Sequence, residues 1–174
     1  PPADGNAYAS FFSLEMRDGA VVVKTFSPFG SGCDSLVVTE PLKSVVCMSG
    51  GSVAAFSAVG GGELVSGVSG VRYVSDPIVR RRDVAEVGYD AAPDYEKIFS
   101  LQPDVVLAYA SSAVDPPYIV KLRSLGIKVL RLYDFLEDHP LGRAEYLRLH
   151  AALAGRPEAG DSVFREGSTR YLAL

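Results

Sequence analysis

The chain has 174 residues, 48% of them hydrophobic and 22% charged, with a formal net charge of −4. That is the size of one domain with a core of its own. It is too apolar for global disorder and too acidic for a general attraction to nucleic acid. No apolar run approaches the ~20 residues of a membrane-spanning helix, and the opening Pro1-Pro2-Ala3-Asp4 reads as a trimmed mature terminus.

Residues 1–40 read as a β extension. Val21-Val22-Val23-Lys24-Thr25-Phe26 and Leu36-Val37-Val38-Thr39 are β-branched runs separated by the turn formers Pro28, Gly30 and Gly32. Asp18-Gly19 is a hairpin signal that pairs the first run with residues 11–16.

From Pro41 the pattern changes to short strands and helices. Residues 44–48 read as a buried strand, Ser52 as the N-cap of a helix running to Val59, and Gly60-Gly61-Gly62 as its stop. A second strand covers 63–68, and 69–93 reads as loop punctuated by Gly70, Pro77, Gly88 and Pro93. Asp94 starts a helix over 95–101. Val105-Val106-Leu107-Ala108-Tyr109 is a continuous apolar strand suited to a sheet covered on both faces. Pro116-Pro117 opens a helix that ends at Gly126, and 127–132 is the next strand. From His139-Pro140 the chain is helical, and it resumes after Pro157 toward Leu174, weakened by Gly160 and Gly167. Strands alternating with helices define an α/β fold with a parallel sheet in three layers.

Enzyme signals are weak. Gly60-Gly61-Gly62 follows a helix, so it is no dinucleotide fingerprint. Ser49 sits at a strand-to-helix turn without the Gly-x-Ser-x-Gly of a nucleophile elbow. His139 and His150 lie about 16 Å apart along a helix, too far to share a metal, and His150 reads as a helix-surface residue. Asp134, Glu137, Asp138 and His139 form a polar cluster at a strand's C-terminal end, which leaves a small metal-site or chelatase-like enzyme as the alternative reading. Cys33 and Cys47 have no metal spacing. Cys47 reads as a small core residue, and a bridge between the two remains open in an oxidising compartment.

Binding without covalent chemistry is the stronger reading. The strand-end loops supply Ser49, Tyr73, Tyr89, Tyr109 and Tyr133. Open α/β sheets bind ligands at the carboxyl ends of their strands, and an amphipathic ring with a hydroxyl suits a large, partly apolar ligand. Arg80-Arg81-Arg82 reads either as an anion contact or as a solvated face.

Several segments carry a family resemblance in order. Pro41-Leu42-Lys43-Ser44-Val45-Val46 is followed by the glycine loop from Gly60 into Gly67-Val68-Ser69. Then come Val87-Gly88-Tyr89, Pro93-Asp94-Tyr95-Glu96-Lys97-Ile98, Leu101-Gln102-Pro103-Asp104-Val105-Val106 and Leu125-Gly126-Ile127-Lys128-Val129. Over residues 41–154 the chain resembles the N-terminal lobe of the helical-backbone metal receptors, the substrate-binding proteins of ABC importers for siderophores, heme and cobalamin. Residues 139–146 and the region from Tyr8 to Pro28 resemble a lipoprotein subgroup of that family.

The resemblance implies a ligand-binding lobe over 41–154, with 155–174 the start of an interlobe backbone helix and the second lobe absent from the chain. It implies no catalysis and no resident cofactor. The ligand is a metal chelate, such as a ferric siderophore, heme or cobalamin, held against the strand-end residues. It also implies a periplasmic or lipid-anchored protein that docks on an inner-membrane permease through Glu96, paired with a permease arginine. Val163, Phe164, Tyr171, Leu172 and Leu174 are then expected to form a patch through which the C-terminal helix self-associates or from which it frays.

Overall fold

The computed structural model describes residues 1–174, except for the side chains of Ile78 and Arg81. Asp18 and Gly19 both take positive φ, 52° and 80°, as a two-residue hairpin turn requires. They join β1 (Phe12–Arg17) to β2 (Ala20–Phe26), and β3 (Cys33–Val38) pairs on the far side of β2, all antiparallel. Alternation along β3 turns Asp34, Leu36 and Val38 inward. Phe12, Val23, Leu36 and Val38 enter the same core as the strands of the second sheet.

That second sheet holds β4 (Val45–Cys47), β5 (Val65–Val68), β6 (Ala85–Glu86), β9 (Val105–Tyr109) and β10 (Val129–Leu132). Its order is β10-β9-β4-β5-β6, every pair parallel. The small hairpin of β7 (Gly88–Tyr89) and β8 (Ala92–Pro93) follows β6. The helices are α1 (Gly50–Ala58), α2 (Pro77–Arg81), α3 (Tyr95–Ser100), α4 (Pro117–Ser124), α5 (Pro140–Ala144), α6 (Tyr146–Leu153) and α7 (Pro157–Leu172).

The continuous apolar run of β9 serves two faces. Val105 and Leu107 pack into one core with α1, α6 and the N-terminal sheet. Val106 and Ala108 pack into the other with Ile98 of α3 and Tyr118, Ile119 and Leu122 of α4. Residues i and i+2 share a face, so the run needs helices on both sides, and the lobe has three layers.

Several expectations need correction. Residues 69–93 contain a strand of the main sheet, β6; a two-residue strand centred on Ala85-Glu86 has no readable alternation and exists because β5 pairs with it. Ser49, not Ser52, caps α1, its hydroxyl accepting the Ser52 N–H at 3.4 Å. Cys33 is exposed and Cys47 buried, and both are free thiols. Burial pushes the Cys47 thiol up. His150 is buried, because α1 covers that side of α6. Its Nδ1–H donates to the Tyr146 carbonyl at 2.7 Å, which leaves Nε2 to accept from the Ser52 hydroxyl at 3.1 Å, and Phe56 meets the ring edge-on. Gly160 is a contact rather than a weakness. A Cβ there would lie 2.5 Å from the Ala151 Cβ, so the missing side chain is what lets α7 lie on α6.

Candidate functional site

Because all five strands of the main sheet run the same way, their carboxyl ends share one edge. Strand order reverses at β4, with β5 on one side and β9 on the other, and open α/β sheets bind their ligands outside such a switch point. Ser49 follows β4 there as the cap of α1, in extended backbone at φ −142° and ψ 148°.

Glu86, the last residue of β6, ties two neighbouring loops together. Its carboxylate accepts the N–H groups of Gly70 at 2.9 Å, Val71 at 3.0 Å and Gly88 at 3.0 Å. The turn after β5 is thereby pinned to the β7–β8 hairpin, and Tyr73 and Tyr89 converge on Gly70. A Cβ at Gly70 would lie 3.3 Å from the Tyr89 ring and 3.4 Å from that of Tyr73. Tyr73 also carries the Arg72 guanidinium over its ring at 4.7 Å and accepts from it at the hydroxyl, 2.6 Å.

Tyr109 ends β9. Partial burial, together with the charge of Asp90 in the β7–β8 turn, holds its ionisation above the ordinary tyrosine value. The Phe135 ring meets it edge-on at 6.2 Å. Tyr73, Tyr89, Tyr109 and Phe135 stay 69%, 48%, 37% and 40% exposed.

Tyr133 departs from expectation. It is 1% exposed and packs toward the N-terminal sheet. Burial pushes its hydroxyl up, opposed by the Arg131 charge and Ser27. Phe135, two residues on, takes the outward place. Neither Asp90 nor Glu86 stood out in the sequence, because their roles depend on loops brought together only by folding.

The other candidates resolve individually. Glu96 is exposed in the first turn of α3, which Asp94 caps through the Lys97 N–H at 3.0 Å. Arg82 donates to the carbonyls of Gly62, Glu63 and Val65, closing the turn before β5. The Arg81 side chain lies outside the described residues. The cluster around His139 is structural. Glu137, 2% exposed, accepts the N–H groups of Ser10 and Phe11 and the Tyr146 hydroxyl. The His139 Nδ1 accepts the Leu141 N–H, and its ring stacks on Tyr8. Among the described residues no group of three or more His, Cys, Asp or Glu side chains is arranged to hold a metal ion.

A three-layer α/β lobe with an aromatic rim at the carboxyl ends of its parallel strands has the fold of one lobe of the periplasmic substrate-binding proteins. A periplasmic heme-binding protein from Pseudomonas aeruginosa superposes with a TM-score of 0.61 at 19% identity, over 74% of this chain and 44% of the other. A periplasmic vitamin B12-binding protein of Vibrio cholerae superposes with a TM-score of 0.59 at 21% identity, over 76% and 49%. In sequence, an uncharacterized lipoprotein of Methanocaldococcus jannaschii is 29% identical over 134 residues, 71% of this chain and 32% of its own length. No family model matches the chain. The chain thus spans about half the length of the solved structures it resembles and about a third of the lipoprotein.

Proposed function

We propose that the chain is the N-terminal lobe of the solute-binding component of an ABC importer for iron complexes, heme or cobalamin. The ligand lies across the strand ends against Ser49, Tyr73, Tyr89 and Tyr109, with Phe135 in the place first given to Tyr133. The observation that carries this reading is the convergence of four exposed rings on the edge where a parallel sheet binds ligands. Broad, partly apolar chelates suit such a wall, because they bury area without needing many directional bonds. The fold shared with heme- and vitamin B12-binding proteins supports the class of ligand, and the lipoprotein relative supports an extracytoplasmic, lipid-anchored location. Exposed Glu96 is the docking carboxylate toward a basic residue of the permease, a pairing for which a bidentate arginine is best suited. Capture is stoichiometric and without turnover.

The test is titration of the chain with hemin, cyanocobalamin and ferrichrome, followed by calorimetry and by tyrosine emission, which is unobscured because the chain has no Trp. One of the three saturates at one equivalent and is recovered unchanged. The Tyr89→Ala and Tyr109→Ala variants weaken it at least tenfold. Failure of all three chelates to bind, or binding indifferent to both substitutions, overturns the reading.

A further inference from the structure

The edge of β3 turned away from β2 borders a groove of about 550 Å³, walled by residues 33–37 on one side and by Arg123 and residues 126–129 on the other. Register decides which backbone groups face it. The Ser27 N–H donates to the Gly32 carbonyl, and these two residues continue the register in which Phe26 opposes Cys33. Bonded pairs alternate in an antiparallel ladder, so Asp34, Leu36 and Val38 spend their N–H and C=O groups on β2. On the other side of β2, the Phe26 N–H donating to the Phe11 carbonyl sets the same phase. Cys33, Ser35 and Val37 therefore turn theirs outward, and among the described residues no backbone hydrogen bond reaches them. Their side chains are all exposed, Val37 at 57%.

We infer that this groove is a strand-addition site, in which an extended, carboxylate-bearing peptide segment of a partner protein pairs with β3 as the fourth strand of the N-terminal sheet. Main-chain hydrogen bonds at an open edge supply affinity, and the flanking side chains supply preference. Five extended residues, about 17 Å, cover residues 33–37. Charge selects the acidic class. The one carboxylate in the lining, Asp34, is already held by Arg131 and Arg123. Lys128 is exposed across the groove and Lys24 stands opposite Ser35 in register, whereas Arg123 is spent on Asp34 and Asp115. A second copy of this chain would have to bring its own 126–129 wall to the same edge. A lone segment has no such wall and suits a shallow groove flanked on both sides. The inference does not depend on the transport reading.

The experiment uses the whole chain, isotopically labelled, with an acetylated and amidated eight-residue peptide of alternating Glu and Val as the probe and its Lys–Val counterpart as control. Amide shifts are expected at residues 33–37 and 126–129, with slowed hydrogen exchange at Cys33, Ser35 and Val37. The Lys–Val peptide binds at least tenfold more weakly. Ser35→Pro removes an outward N–H and spares the bonds to β2, a position where proline is tolerated in an edge strand. It lowers affinity at least tenfold while the β1–β2 amides keep their shifts. Three results would overturn the inference: no binding at millimolar Glu–Val peptide, equal binding to the Ser35→Pro variant, or a concentration-dependent dimer that Ser35→Pro abolishes, which would make the occupant a second copy.

Discussion

Asp34 and Arg131, 97 residues apart in sequence, are joined by three hydrogen bonds: the Arg131 backbone N–H and Nε reach Oδ2, both at 2.9 Å, and Nη2 reaches Oδ1 at 3.0 Å. Asp34 is on the edge strand of the N-terminal sheet and Arg131 on the edge strand of the main one. Arg123 adds a bond to Asp34, and Asp115 bridges both arginines. Two carboxylates and two guanidiniums thus clamp the sheets together at their shared border.

Removing one member of a buried pair leaves the other uncompensated, at a cost of about 3–5 kcal/mol. Asp34→Ala should fall at the low end, near ~3 kcal/mol, because Asp115 still neutralises Arg131. Replacing both partners with apolar residues, Asp34→Leu with Arg131→Met, should recover most of that loss. Urea unfolding midpoints at constant slope provide the measurement. A double variant no more stable than the single one would mean that the pair stabilises by more than mutual compensation.

Glu145 anchors the N-terminal segment in the same manner. It is 0% exposed and accepts the N–H groups of Ala7, Tyr8 and Ala9 at 2.7, 2.9 and 3.3 Å. Glu145→Gln turns an amide donor toward backbone donors and should cost about 1.5–3 kcal/mol, the range for hydrogen bonds to a charged group. Residues 1–11 should then exchange their amides and yield to protease well before global unfolding. Uniform destabilisation, with no early release of this segment, would show that the carboxylate is not its anchor.

The pH response of stability should carry the mark of His150. Burial lowers its ionisation below the ordinary histidine value, outweighing the Tyr146 carbonyl and the Asp134 charge, which act the other way. The unfolded chain therefore takes up a proton near pH ~6.5 that the folded chain refuses. The contribution is fully present above that pH and is lost as pH falls below it. His150→Gln should flatten the decline between pH 7 and 5.5, where the ordinary carboxylates remain ionised. An unchanged slope in the variant would assign the acid sensitivity elsewhere.

What the sequence made legible follows from range. β9 was readable because five apolar residues in a row need no partner to be recognised, and Asp94 because its cap acts on Lys97, three residues away. The Asp18-Gly19 turn was readable for the same local reason. Glu137 and Glu145 were not, since acidic residues are ordinarily exposed and these are buried by amides more than 120 residues distant. The aromatic edge was legible as a set of loops but not ring by ring. Whether Tyr133 or Phe135 points outward is decided by the N-terminal sheet packing beneath β10, a contact with no local signature.

The two glycines inside α7 separate helix propensity from packing. Glycine in a helix interior is about 0.8–1.0 kcal/mol worse than alanine, so propensity alone makes either substitution stabilising. At Gly167 a Cβ meets nothing within 4 Å, and Gly167→Ala should stabilise the chain by most of that amount. At Gly160 a Cβ would meet the Ala151 Cβ at 2.5 Å, the Arg148 Cα at 3.0 Å and the Leu147 carbonyl at 3.1 Å. None of these is the tip of a flexible side chain, so α7 must move off α6. Overpacking of this kind costs about 1–3 kcal/mol, which exceeds the propensity gain, and Gly160→Ala should be net destabilising. The displaced helix would also disturb the edge-on contacts of Phe164 with Tyr8 and of Tyr171 with His139, which hold α7 against the N-terminal segment and the α5 cap. Paired thermal melts of the two variants read the sign directly. Opposite signs are expected, and two stabilising substitutions would mean that α7 does not sit on α6 at this distance.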